Sequence, residues 1–191
     1  MKSTLYTLYV FLFSLLMSHF ATAQNERSSF TGTNRVMVAL EGPLIRYDFV
    51  SKQMFVRHNK EAQRLECVIP VVSLLPLQDS VPPAMLYNVL FGAKYPQLLI
   101  RLHVPTQSAV PNDLLSATSN LTASVQIQGV TNETRVPVTF NTIDNTLYFT
   151  TSFDLMLDNF QASIPAEYLP LLTGRLMIMI DRAKWINSMT Y

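Results

Sequence analysis

The stretch from Leu121 to Val138, LTASVQIQGVTNETRVPV, decides the fold. Leu121, Ala123, Val125 and Ile127 alternate with Thr122, Ser124, Gln126 and Gln128, the period-two pattern of a strand buried on one face. A turn around Gly129 to Asn132 follows. Val136, Val138 and Phe140 then alternate with Arg135, Thr139 and Asn141, as the return strand of a hairpin would. Asp144-Asn145 marks the next turn. Beyond it, Leu147, Phe149, Phe153, Leu155 and Leu157 share a face opposite Thr150, Ser152, Asp154 and Asp158. One dry and one wet face per strand is the antiparallel pattern, so the three segments read as a meander.

Working outward, Val36 to Glu41, Leu44 to Val50, Lys52 to Arg57, Arg64 to Leu74, Tyr95 to Val104 and Arg175 to Lys184 read as further strands. About eight or nine strands at regular spacing are the signature of a sandwich or barrel. Only residues 83 to 91, after Pro82-Pro83, and residues 166 to 172, after Pro165, read as short helical turns. The Pro-, Ser- and Asn-rich segment from Pro105 to Asn120 reads as a loop. Leu176, Ile178 and Ile180 are opposed by Met177 and Met179, so the last strand is apolar on both faces and both need a cover. A closed barrel with elements packed outside meets that need better than a sandwich with a wet outer face.

At the N-terminus, Lys2 precedes an apolar run from Leu5 to Met17 and a small-residue exit, Ala21-Thr22-Ala23. This is the order of a cleavable secretory signal, expected over residues 1 to 23. The run falls short of the roughly 20 apolar residues of a membrane span. Residues 24 to 191 are then expected to form one β domain. The signal carries one of the 14 Lys and Arg and none of the 13 Asp and Glu, so the remainder is charge-balanced. A nucleic-acid or membrane-surface binder working by electrostatics would need a basic excess. Charged residues make up 14% of the chain against about 25% in typical domains, which points to unusually apolar strands. Cys67 is the only cysteine, so no disulfide within the chain supports the fold, and the residue reads as a small buried hydrophobe.

No catalytic constellation emerges. His58 and His103 stand apart with no partner at metal-ligand spacing, and no nucleophile elbow, phosphate loop or dinucleotide fingerprint occurs. Asp154 and Asp158 fit a solvated face better than an acid and base pair, because Thr150 and Ser152 beside them are polar too. Asn120-Leu121-Thr122 and Asn132-Glu133-Thr134 match the glycosylation sequon, which matters only in a eukaryotic secretory pathway. Neither an enzymatic activity, a cofactor nor a metal is expected.

Five segments in order carry a family resemblance. Glu41 to Phe49 (EGPLIRYDF), Cys67 to Leu74 (CVIPVVSL), Lys94-Tyr95-Pro96, Leu121 to Val138 and Phe153 to Pro165 (FDLMLDNFQASIP) resemble, respectively, the early hairpin, the "IP" strand, the "KYP" strand opening, the "HGVT…VPV" hairpin and the "DY…IP" segment of the YceI-like family, in particular its secreted Bacteroidetes-type members. Two departures stand out. Gln128 replaces the family's His, and Val89 to Lys94 lacks the family's wording before "KYP". The resemblance implies an antiparallel lipocalin-like barrel of about eight strands with one or two short helices, holding a polyisoprenoid or other apolar lipid and working in the periplasm or the extracellular space. The alternative is a barrel filled by its own side chains, with a structural or interaction role at the envelope. The residues expected to line the lumen are Leu98, Ile100, Leu102, Val125, Ile127, Val138, Phe140, Phe149, Phe153, Leu155, Met177 and Met179.

Overall fold

The computed structural model describes residues 31–59, 61–104, 118–143 and 146–185. The expected signal, most of the expected loop after Pro105 and the Asp144-Asn145 turn lie outside the described residues. Nine strands are present among the described residues: β1 (Thr31–Glu41), β2 (Arg46–Asn59), β3 (Arg64–Pro70), β4 (Leu75–Pro76), β5 (Gln97–His103), β6 (Thr118–Ile127), β7 (Val130–Ile143), β8 (Thr146–Met156) and β9 (Arg175–Trp185). A single turn and a half of helix, α1 (Met85–Val89), and short 3-10 turns at Val71–Ser73, Leu157–Phe160 and Leu169–Leu171 complete the described elements.

Every strand pairs antiparallel to its neighbours in the order β1, β9, β8, β7, β6, β5, β3, β2, and β1 pairs with β2 to close the ring. The eight long strands thus form a closed barrel, and the two-residue β4 lies beside β2 at Phe49 and Val50. Closure removes the exposed edges that an open sheet of this apolarity would present.

Register explains which side chains face inward, because directly opposed residues share a face. One inward row runs through Phe153, Ile178, Val38 and Phe49 on β8, β9, β1 and β2. Another runs through Val56, Cys67, Ile100, Val125 and Asn132 on β2, β3, β5, β6 and β7. An outward row holds Arg57, Glu66 and Arg101. Burial alone would push the Glu66 carboxyl up, but hydrogen bonds and charge from Arg57 and Arg64 outweigh it and hold the group below the usual carboxylate range.

The structure departs from the sequence expectations at several points. The strand expected from Arg64 to Leu74 ends at Pro70, where a 3-10 turn over Val71–Ser73 takes over. Residues 44 to 50 and 52 to 57 are not two strands. They form a single strand, β2, which carries a bulge: Val36 opposes Ser51 and Asn34 opposes Met54, so β2 holds one extra residue. Lys52 and Gln53 both turn outward there, and Ser51 Oγ accepts the Gln53 N–H at 2.9 Å. Leu44 and Ile45 belong to the exposed β1–β2 turn, Leu44 at 95% exposure. The β6–β7 turn is tighter than expected, confined to Gln128 and Gly129 with φ of 48° and 83°. Two consecutive positive φ values make the two-residue hairpin turn whose twist suits the flanking strands. Thr118 to Asn120, expected as loop, open β6.

Met177 and Met179 do not face the lumen. They oppose Asp154 and Ser152 on one side and Ala39 and Met37 on the other, all outward positions. The inward face of β9 is Leu176, Ile178 and Ile180, and after a bulge at Asp181–Arg182 it continues with Ala183 and Trp185. Both faces of β9 are apolar, as the sequence indicated, but alternation alone does not say which is inside.

Candidate functional site

The candidate site is the barrel interior and its openings. Ten of the expected lumen residues turn inward: Leu98, Ile100 and Leu102 on β5, Val125 and Ile127 on β6, Val138 and Phe140 on β7, and Phe149, Phe153 and Leu155 on β8. Sequence reasoning missed the contributions of β1, β2 and β3, where Val38, Phe49, Met54, Val56, Leu65, Cys67 and Ile69 are all 0% exposed.

The interior is densely packed. Ile100, Leu102, Val125, Val138 and Phe149 are fully buried, leaving no water-sized space against them. Polar groups inside are few and several are paired, while the buried Trp185 Nε1 and Thr142 Oγ1 have no hydrogen-bond partner among the described residues. Ser51 shares a hydrogen bond of 2.6 Å with Ser73, and Asn34 both donates to the Lys184 carbonyl and accepts its N–H. At one end Trp185 is buried against the His58 ring, edge-on at 4.8 Å, with Phe140 at 6.3 Å. The opposite end is roofed by α1 and the 3-10 turns, through the buried Met85, Leu86, Val89, Leu157, Phe160, Tyr168 and Leu172.

Gln128 holds this roof together. Its Nε2 donates to the Val89 carbonyl at 2.9 Å and the Ser163 carbonyl at 3.0 Å, while its Oε1 accepts the Ser163 N–H at 3.1 Å. The residue that departs from the resembled pattern therefore ties α1, the β6–β7 turn and the segment before β9 to one another.

Cys67 reports on the interior. It lies in the fully buried row between Val56 and Ile100, and burial, with a smaller push from the Glu66 carboxylate, raises its thiol pKa to about 12. At about pH 8, near the pKa of a free thiol, iodoacetamide is expected to leave Cys67 unmodified in the native protein and to alkylate it fully in denaturant. Rapid native alkylation, followed by mass spectrometry, would mean that water reaches this row.

Two cavities open near the roofed end. One of about 420 Å3 lies between α1 with its exit and the 163–165 segment, lined by Tyr87, Phe91, Ile164 and Pro165 among others. The other, of about 440 Å3, lies where β7 and β8 part company, lined by Asn132, Glu133, Thr134, Asp154, Leu155, Met156, Asn159 and Phe160. Among the described residues, no group of three or more His, Cys, Asp and Glu is placed to hold a metal ion. No described helix is long and apolar enough to cross a membrane.

No family model matches the chain, and no curated protein matches it in sequence. Solved structures do. A polyisoprenoid-binding domain from Saccharophagus degradans, implicated in plant cell wall breakdown, aligns with a TM-score of 0.64 at 12% identity, covering 78% of this chain and 92% of its own. BcnA of Burkholderia cenocepacia aligns with a TM-score of 0.58 at 16% identity, covering 76% of this chain and 92% of its own. At such identities the likeness is one of fold. The chain thus has the barrel fold of the Saccharophagus polyisoprenoid-binding domain and of BcnA, in agreement with the YceI-like fold that its sequence resembles.

Proposed function

We propose that the protein is an exported, non-enzymatic carrier of YceI-like type that holds an apolar chain, a polyisoprenoid or another lipid, inside its barrel in the periplasm or outside the cell. The observation that carries this reading is a closed barrel whose eight long strands all turn mostly apolar side chains inward, in a fold shared with a domain named for polyisoprenoid binding. Each buried methylene contributes about 0.8 kcal/mol, against an association cost of about 4–15 kcal/mol, so a long chain is required. Because the interior is filled, a guest enters only by displacing side chains such as Phe140 and Phe149, which adds to that cost.

The same packing favours a second reading, a barrel filled by its own side chains with a structural or interaction role at the envelope. Mass spectrometry of organic extracts from natively purified protein separates the two. The carrier reading expects a polyprenyl or acyl species near one per chain. Extracts that hold none, from protein purified without detergent out of its own cells, would leave the filled barrel.

A further inference from the structure

The barrel wall has a gap. Pairing between β7 and β8 runs from Ile143 opposite Thr146 to Val138 opposite Thr151 and ends there, although both strands continue. Pro137 explains the ending. Its carbonyl accepts the Thr151 hydroxyl at 2.8 Å, so the backbone polar groups of residue 137 face β8. An N–H at this position would therefore have faced β8 too, and proline has none to give the ladder. Beyond it, residues 131 to 136 keep their pairing to β6 and residues 152 to 156 theirs to β9, while the two strands are unpaired with each other.

The 440 Å3 cavity occupies this gap, and core side chains form its floor. Leu155 and Phe160 line it and belong to the core, while the neighbouring inward residue Phe153 is only half-buried. Asn132 and Thr134 also line it from inward positions of β7, opposite Val125 and Ala123. The lining includes two carboxylates, Glu133 and Asp154, and no cation. Asp154 is held by Arg175 at 2.9 Å, and that guanidinium is shared with Glu41 at 3.4 Å.

Resting on the carrier reading, we propose that this gap is a lateral portal: an apolar chain enters the barrel between β7 and β8 past Phe153 and Leu155, and an uncharged polar head stays at Asn132, Thr134 and Asn159. The apolar floor takes the chain end. Asn132 Nδ2 already donates across the opening to the Asn159 carbonyl at 2.5 Å, so its Oδ1, the Thr134 hydroxyl and the Asn159 amide take a hydroxyl or similar head, and the carboxylates disfavour an anionic one.

Geranylgeraniol and geranylgeranyl diphosphate serve as probes, with uptake followed by mass spectrometry of the washed protein. The double variant Arg135→Cys/Asp154→Cys is bridged across the gap by a short bifunctional methanethiosulfonate, which a reductant removes, and Thr134→Trp narrows the same opening without chemistry. Bridging is expected to slow both loading and release of geranylgeraniol by about tenfold or more, as a closed gate does, with equilibrium occupancy unchanged and full recovery on reduction. Thr134→Trp should slow loading in the same direction. Loading at the unbridged rate in both proteins would overturn the portal while leaving the carrier reading intact. Wild-type protein that takes up neither probe would remove the carrier reading and the portal with it. Uptake of the diphosphate as readily as the alcohol would overturn the uncharged head.

Discussion

Phe149→Ala is expected to lower the unfolding free energy by about 3–5 kcal/mol, the range for truncating a fully buried aromatic. Phe149 is 0% exposed, stands opposite Phe140 on β7 and Ala183 on β9, and so loses contacts on both sides at once. For a domain of this size each kcal/mol is worth about 2–4 °C, so the melting temperature should fall by about 6–20 °C. Met179→Ala supplies the contrast. It removes a smaller thioether side chain from the outer face of β9, where the side chain is half-buried, and should cost about 1 kcal/mol or less. Chemical denaturation of the two variants reads the interior directly. If Phe149→Ala costs no more than Met179→Ala, the barrel is not packed at that level.

The same substitution bears on binding with the opposite sign. A guest that must displace Phe149 from its packed site is opposed by that packing, and Phe149→Ala removes the opposition beforehand. The variant should therefore load geranylgeraniol more tightly than wild type while being less stable. A charge at the same place tests little, because Phe149→Asp or Val125→Asp puts an unpaired carboxylate where the structure leaves no water. Failure to load would then follow from failure to fold.

Much of the barrel was legible in the sequence because alternation survives wherever a strand has one wet face. β6, the end of β7 and β8 were read with their faces correct for this reason. Where both faces are apolar, as on β9, the period is lost, and alternation alone points Met177 and Met179 to the lumen as readily as Leu176, Ile178 and Ile180, which occupy it. β2 failed differently. The extra residue at Lys52 and Gln53 breaks the period, so one strand read as two, and the bulge is fixed by Ser51 and Ser73, which are 22 residues apart.

The gap between β7 and β8 leaves a trace in the sequence. Carrying the inward parity back from Val136 places Thr134 and Asn132 inside the barrel, which is an anomaly for an apolar lumen. Pro137 between them and Val138 is the residue that ends a ladder. Which neighbouring strand would lose its partner depends on the side to which residue 137 turns its backbone, and that is a property of the assembled sheet.

Gln128→Ala is expected to cost about 1.5–4.5 kcal/mol, at about 0.5–1.5 kcal/mol for each of three hydrogen bonds. The partners are backbone groups of Val89 and Ser163, 39 and 35 residues away, which is why the departure from the resembled pattern carried no visible role in the sequence. Backbone conformation can be separated from the clamp. At φ of 48° Gln and Ala bear the same Cβ penalty, whereas glycine escapes it. Gln128→Gly should then be less destabilised than Gln128→Ala by about 1 kcal/mol. Gln128→Asn tolerates the positive φ but is one methylene too short to keep all three contacts. In each variant amide exchange at Ser163 should accelerate, because its N–H loses the Oε1 acceptor. Rows deep in the barrel, such as Ile100 opposite Val125, should keep their protection until global unfolding. Unchanged exchange at Ser163 in Gln128→Ala would mean that the roof is held without the clamp, through the buried side chains of α1 and the 3-10 turns alone.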